Sequence, residues 1–200
     1  GSQAEINWIA ELSFPEGHLW RREDWNRAAD LDDFLPAFES WRFPWLDVPA
    51  IIRAADRVFE YPMVDRDPVD RWTFGRLTLL GDAAHPMFPI GSNGASQAIL
   101  DARTLAFELA TQADIDSALA NYEASRRPAT TRIVLANRGN GPEQVMQIAE
   151  TRAPNGFADI ATVIDHNELE DIARRYKLMA GFDMETLNSR PRLSVPLGGA

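Results

Sequence analysis

Two hundred residues, 45% of them hydrophobic and 25% charged, are enough for one good-sized domain and exclude wholesale disorder. Thirty acidic against 20 basic side chains leave a formal net charge of −10, which argues against a nucleic-acid or anionic-membrane partner because phosphate contacts need clustered cations. With no cysteine, disulfides, thiolate nucleophiles and cysteine-ligated metals are excluded; no apolar run suffices for a membrane span, and a cytoplasmic setting is the expectation.

Gly1-Ser2 reads as the scar of a cleaved tag, and no signal peptide is visible. Ile6, Trp8, Ala10 and Leu12 alternate with polar Asn7 and Glu11, the period of a strand. A domain seldom begins mid-sheet, so the chain reads as a piece of a longer protein. Residues 14–56 are irregular and aromatic-rich, with Phe14, Trp20, Trp25, Phe34, Phe38, Trp41, Phe43 and Trp45 serving either a core under loops or the wall of a pocket for a flat ligand. Asp24 is placed to cap a short helix through about Leu35, which Pro36 helps to stop. Pro44 to Pro49 is turn chemistry, and Ala50 to Ala55 is suited to one helical segment. Val58 to Tyr61 reads as a strand, and Asp65-Arg66-Asp67-Pro68 as a turn. Trp72 to Phe74 is a second strand, Gly75-Arg76 a tight turn, and Leu77 to Leu80 a strand apolar enough to be buried on both faces.

From Ala95 the period changes: Ala95, Ala98, Ile99, Ala102, Leu105, Ala106 and Leu109 fall on one helical face, small enough for close packing on a sheet. A second helix is expected from about Asp116 to Asn137, kinked or broken at Pro128, with Asp114 and Asp116 as helix-start residues. Gly139-Asn140-Gly141-Pro142 ends it. Residues 143–152 and 166–180 suit two more helices, with Glu168 to Lys177 a solvated face, and the tail after Gly181 is expected to be irregular.

The chemistry sits between Leu79 and Ala95. An apolar strand ends at Gly81, the acid Asp82 follows at once, and a loop holding Pro86, Pro89, Gly91 and Gly94 opens the helix. Ligands bind at the carboxyl ends of strands in open α/β sheets, and glycines let them approach the backbone. A carboxylate there suits sugar-type hydroxyls, and helix-start N–H groups suit a carbonyl or delocalised anion. Ser92 and Ser96 lack the flanking glycines of a hydrolase elbow, and His18, His85 and His166 are too scattered for a metal site.

Gly81-Asp82-Ala83-Ala84-His85 with Pro89, Gly91, Gly94 and Asp101 resembles the second flavin motif of class A FAD-dependent aromatic hydroxylases, the para-hydroxybenzoate hydroxylase fold. Pro89 to Ala98 is most similar to the phenazine-modifying branch. Arg71-Trp72-Thr73, Tyr122-Glu123, Arg126-Arg127-Pro128 and Ala180-Gly181-Phe182-Asp183 also fit. The resemblance implies an α+β chain holding part of an α/β FAD-binding fold. Residues 1–75 would belong to the substrate-binding sheet domain, 76–139 to the C-terminal part of the FAD-binding domain, and 140–200 to a helical region. The N-terminal ADP-binding Gly-x-Gly-x-x-Gly and the middle motif are missing from this sequence.

By the same resemblance, Asp82 takes the ribityl hydroxyls of FAD, Gly81 belongs to the cofactor-binding turn, and the backbone of Gly91, Ser92, Asn93 and Gly94 faces the pyrimidine edge of the ring. Pro89 would lie beside the ring. Pro89 and His85 are the nearest candidates for catalysis, though His85 suits an organising hydrogen-bonder better, and Asp101 suits a structural role. The implied activity is insertion of one oxygen atom from O2 into a small aromatic substrate at the expense of NAD(P)H, with this piece inactive alone. Another FAD-dependent oxidoreductase (dehydrogenase, reductase or halogenase) and a non-catalytic half-fold are the alternatives. Exposed half-site surfaces would favour a homodimer.

Overall fold

A strand needs a neighbour to take its backbone hydrogen bonds, and the alternating Ile6–Leu12 segment has none among the described residues. The computed structural model describes residues 5–15, 17–19, 24, 26–61 and 63–195, and it corrects the expected first strand to extended chain without a ladder. Gly1, Ser2, Trp20 and Trp25 lie outside the described residues. The alternation survives as packing: Trp8 and Ala10 lie against a cluster of Leu35, Phe38 and Ile52, while Ile6 and Ile9 are exposed.

The chain divides into two compact units, 1–62 and 63–200. In the first, the expected helix from Asp24 is corrected. Asp24 instead accepts from the Asn26 N–H, a local turn, and Asp30 takes over as the cap by accepting from Asp32 N–H at 3.0 Å. The order is β1 (Arg27–Ala28), α1 (Leu31–Phe34), a 3-10 turn at Leu35–Phe38, β2 (Arg42–Phe43), β3 (Leu46–Asp47), α2 (Val48–Arg53) and β4 (Phe59–Glu60). Pro36 opens the 3-10 turn, where a missing N–H costs nothing. β4 pairs antiparallel with β1, and β2 with β3. Phe34 and Phe38 serve the core, whereas Trp41, Phe43 and Trp45 are exposed, the last two stacked at 5.6 Å.

The second unit opens with the β5 (Thr73–Phe74) and β6 (Leu77–Thr78) hairpin, turned at Gly75 with φ +61°. The expected doubly covered strand is not found: Leu77 is 60% exposed, and among the described residues no third strand pairs with this hairpin. Five helices follow: α3 (Gly94–Thr111), α4 (Ile115–Asn137), α5 (Gln144–Arg152), α6 (His166–Ala180) and α7 (Met184–Ser189). α7 corrects the irregular tail, because Asp183 caps it through the Thr186 N–H. α4, capped by Asp114, runs unbroken through Pro128. The proline forfeits only its own hydrogen bond to the carbonyl four residues back, and the Thr130 hydroxyl adds a bond to the Arg126 carbonyl beside it.

α3 also packs differently from its hydropathy pattern. It buries Gln97, Asp101 and Thr104, and leaves Ala95, Ile99, Ala102, Ala106 and Leu109 exposed. The polar stripe turns inward because α4 and the turn after β6 supply it with partners. These helices and two-stranded sheets bear out the α+β class. Among the described residues no helix is long and apolar enough to cross a membrane.

Candidate functional site

Leu80 is fully extended and Gly81 reverses the chain with φ +58°, a conformation an L side chain adopts only under strain. The result is a 3-10 turn at Gly81–Ala83, in which the Gly81 carbonyl accepts from the Ala84 and His85 N–H groups at 2.8 and 2.9 Å. A Cβ on Gly81 would lie 3.3 Å from that of Ala98, so the turn sits directly on α3. Asp82, the next residue, is exposed and makes no hydrogen bond within the described residues.

Asp101 anchors this turn from below. Fully buried, it accepts from the Gly81 N–H at 3.1 Å and lies 2.5 Å from His85 Nε2 through one oxygen, while the other accepts from Arg126 Nε at 2.7 Å. Arg126 also donates to Gln97 Oε1 at 2.6 Å. Burial raises the Asp101 pKa, but the hydrogen bonds from His85 and Arg126 outweigh it and hold the group below the usual carboxylate range. A carboxylate only accepts, so His85 Nε2 carries the proton, and the buried Nδ1 has no partner among the described residues. Trp72 packs 5.7 Å from the rings of both His85 and Tyr122. Tyr122 donates to the Leu79 carbonyl, and burial pushes its hydroxyl pKa up.

The loop after His85 ends in a second 3-10 turn at Ile90–Ser92, with Gly91 at φ +68° and Ser92 at +53°. Pro89 and Ser92 are exposed. Asn93 precedes α3 in the capping position, yet its side chain makes no capping bond: its Nδ2 donates to the Tyr176 hydroxyl at 2.6 Å. The first-turn N–H groups of α3 therefore have no side-chain cap. A Cβ on Gly94 would meet nothing within 4 Å, so the surface over the helix start is open.

The motif residues thus fall into two sets. Asp82, Pro89, Ser92 and the open side of Gly94 form the accessible rim, while Gly81, His85, Asn93 and Asp101 work beneath it. Tyr176 and Asn137 were missed from sequence. Their signal was present in part: Ile172, Tyr176 and Ala180 recur every four residues, the buried stripe of a helix assigned to solvent.

Residues 56–137 match the family model described as an FAD binding domain. The chain is 54% identical over 161 residues to phenazine 1,6-dicarboxylic acid hydroxylase PhzS of Lysobacter antibioticus, covering 80% of this chain and 39% of that protein. It is 39% identical over 140 residues to 3-amino-4-hydroxybenzoate 2-monooxygenase PtnB3 of Streptomyces platensis, covering 69% of this chain and 34% of that one. Among solved structures, the crystal structure of FqzB matches with a TM-score of 0.51 and 25% identity, over 86% of this chain and 43% of that one. The chain therefore spans between about a third and two fifths of the length of these curated relatives. The resemblance to flavin-dependent aromatic hydroxylases, and the expected FAD, are borne out.

The residues present fit that cofactor. The Asp82 carboxylate, exposed and without a partner among the described residues, could accept from ribityl hydroxyls. The uncapped α3 N-terminus with open space over Gly94 offers N–H donors and a positive dipole end to the electron-poor edge of a flavin.

Proposed function

We propose that this chain is the flavin-facing, C-terminal part of an FAD-dependent monooxygenase that hydroxylates a small aromatic or heteroaromatic substrate. The carrying observation is the pairing of a free Asp82 carboxylate with an uncapped α3 N-terminus inside the stretch matched to an FAD binding domain. The overall reaction consumes NAD(P)H, O2 and a proton, and gives a C–OH in place of a ring C–H, together with water and NAD(P)+. FAD, when bound, supplies the electron transfer from NAD(P)H and the activation of oxygen. The protein needs no nucleophile for this. Asp82 binds hydroxyls, the α3 N-terminus stabilises negative charge on the ring edge, and Pro89 closes the loop side against water. His85 organises the turn.

The division into residues 1–75 for the substrate sheet, 76–139 for the FAD-binding domain and 140–200 for the helical region belongs to this proposal, as do a cytoplasmic setting and a homodimer. The exposed stripe of α3 and the β5–β6 hairpin, which pairs with no third strand among the described residues, support the FAD-binding assignment as surfaces open to the rest of such a domain. The names of the relatives support an aromatic acid as substrate, with exposed Trp41 and Trp45 available to a flat ring.

The visible absorption spectrum of the full-length protein tests the proposal, followed by oxygen consumption on mixing with NAD(P)H and aromatic acids. A flavin spectrum with substrate-stimulated oxygen uptake is expected. Bound flavin without that stimulation points to another FAD-dependent oxidoreductase. A colourless protein that takes up no added FAD overturns the proposal.

A further inference from the structure

We propose that Tyr176 of α6 is the positioning residue of the flavin-facing loop, holding open the helix start that the cofactor meets. The proposal rests on the flavin assignment above. One hydrogen-bond chain ties both ends of the loop together. Asn93 Nδ2 donates to the Tyr176 hydroxyl at 2.6 Å, that hydroxyl donates to Asn137 Oδ1 at 2.9 Å, and Asn137 Nδ2 donates to the Phe88 carbonyl at 3.0 Å. Tyr176 has a single proton to give, so the Ile90 carbonyl, at 3.3 Å, is its weaker acceptor. Asn93 and Asn137 are buried, so each bond in the chain satisfies a group that water cannot reach.

The ring is fitted as closely as the hydroxyl. A Cβ on Gly91 would stand 2.3 Å from the Tyr176 hydroxyl oxygen, and one on Gly141 2.9 Å from Tyr176 Cε2. Both glycines have positive φ, +68° and +44°. Two turns that no alternative residue could form without strain are therefore seated on one tyrosine, and Glu143 completes the seat by accepting from Gly91 N–H at 3.4 Å. Ser92, a non-glycine at φ +53°, follows Gly91 in the same turn, its N–H donating to the Pro89 carbonyl at 3.0 Å.

The consequence reaches α3. Asparagine caps a helix through its Oδ1. Tyr176 holds Asn93 by Nδ2, and in that orientation the side chain makes no bond to the first-turn N–H groups of α3, which are left to a ligand. The tyrosine thus acts on cofactor binding without touching the cofactor. Burial pushes the Tyr176 hydroxyl pKa up, so the group remains a donor at neutral pH.

Tyr176→Phe in the full-length protein keeps the ring and removes the hydroxyl. Ile172→Val, one turn earlier on the buried stripe of α6, is the control for simple loss of packing. FAD affinity is read by titration of flavin fluorescence, amide hydrogen exchange is followed at Gly91 and Ser92, and melting is recorded for both variants. Tyr176→Phe is expected to raise the FAD Kd about tenfold, the scale of one lost hydrogen bond, and to speed exchange at Gly91 and Ser92 by a similar factor. Ile172→Val should leave both within about twofold of wild type, as a loss confined to packing. Equal Kd and exchange for Tyr176→Phe and wild type, or changes no larger than those of Ile172→Val, overturn the proposal. Should Tyr176→Phe not fold, Asn93→Ala cuts the same chain at its loop end, with the same expected exchange and the same overturning result. A wild-type protein that takes up no FAD refutes the flavin assignment instead, and the exchange measurement then decides by itself whether the tyrosine fixes the loop.

Discussion

Asp101 on α3 and Arg126 on α4 meet at 2.7 Å in the interior, and the same carboxylate reaches the Gly81 N–H and His85. One buried anion therefore joins the two longest helices to the turn that presents Asp82. Its second role explains the polar stripe of α3: Gln97 and Asp101 face inward because Arg126 must be neutralised and hydrogen-bonded once it is buried.

Replacing Asp101 by Asn is expected to cost about 3–5 kcal/mol, the scale for breaking a buried ion pair. The amide fits the space but not the partners. With its NH2 toward Gly81 and His85 it opposes two donors, and flipped it opposes Arg126. Urea denaturation of the two proteins measures the difference, and a loss under about 1 kcal/mol would mean that Arg126 finds another acceptor.

The same group sets an acid limit on stability. Its folded pKa lies below the unfolded value of 3.8, so its contribution is complete above that value and is lost as the pH falls through the folded pKa. Unfolding free energy should therefore drop on acidification below about pH 4. Asp101→Asn should show a shallower drop over that window, and parallel curves would assign the acid sensitivity to other carboxylates.

Much of this unit is legible in the amino-acid pattern, and what is not has a common cause. α4, α5 and α6 follow from local signals: Asp114 and Asp165 as caps, Gly181 as a left-handed stop, and apolar residues at helical spacing. The Gly81–Gly94 motif is legible because its glycines and acid are adjacent in sequence. The strand expected at Ile6–Leu12 and the covered strand expected at Leu77–Leu80 rest on alternation and apolarity, which describe a face but supply no neighbour to pair with. The inner face of α3 differs from its hydropathy pattern, because hydropathy cannot register an arginine 25 residues away (Arg126 against Asp101) that makes a buried carboxylate favourable. Tyr176 was hidden for the same reason, its partners lying 39 and 83 residues distant.

Gly91 and Gly94 should separate loop architecture from ligand contact. Gly91→Val places a β-branched residue at φ +68° and drives its Cβ into Tyr176, so the fold itself should lose about 2–4 kcal/mol. In Gly94→Val the Cβ points into open space, and stability should stay within about 1 kcal/mol. The substitution should nevertheless raise the FAD Kd by at least about tenfold, because the branched side chain occupies the space through which a ligand approaches the helix start. Thermal melting and flavin titration of both variants provide the comparison. Normal flavin affinity in Gly94→Val would contradict the proposed approach.

Asp82 gives the cleanest test of the rim, because nothing in the fold depends on its side chain. Asp82→Ala removes an exposed group with no partner among the described residues, and stability should stay within about 0.5 kcal/mol of wild type. FAD retention should fall much further. Hydrogen bonds to a charged acceptor are worth about 1.5–3 kcal/mol, so a roughly 10- to 100-fold weaker Kd is expected in the full-length protein. Asp82→Asn keeps one acceptor and should fall between the two. Equilibrium dialysis against free FAD, with urea denaturation alongside, measures both quantities. Unchanged retention in Asp82→Ala would take this carboxylate out of the site.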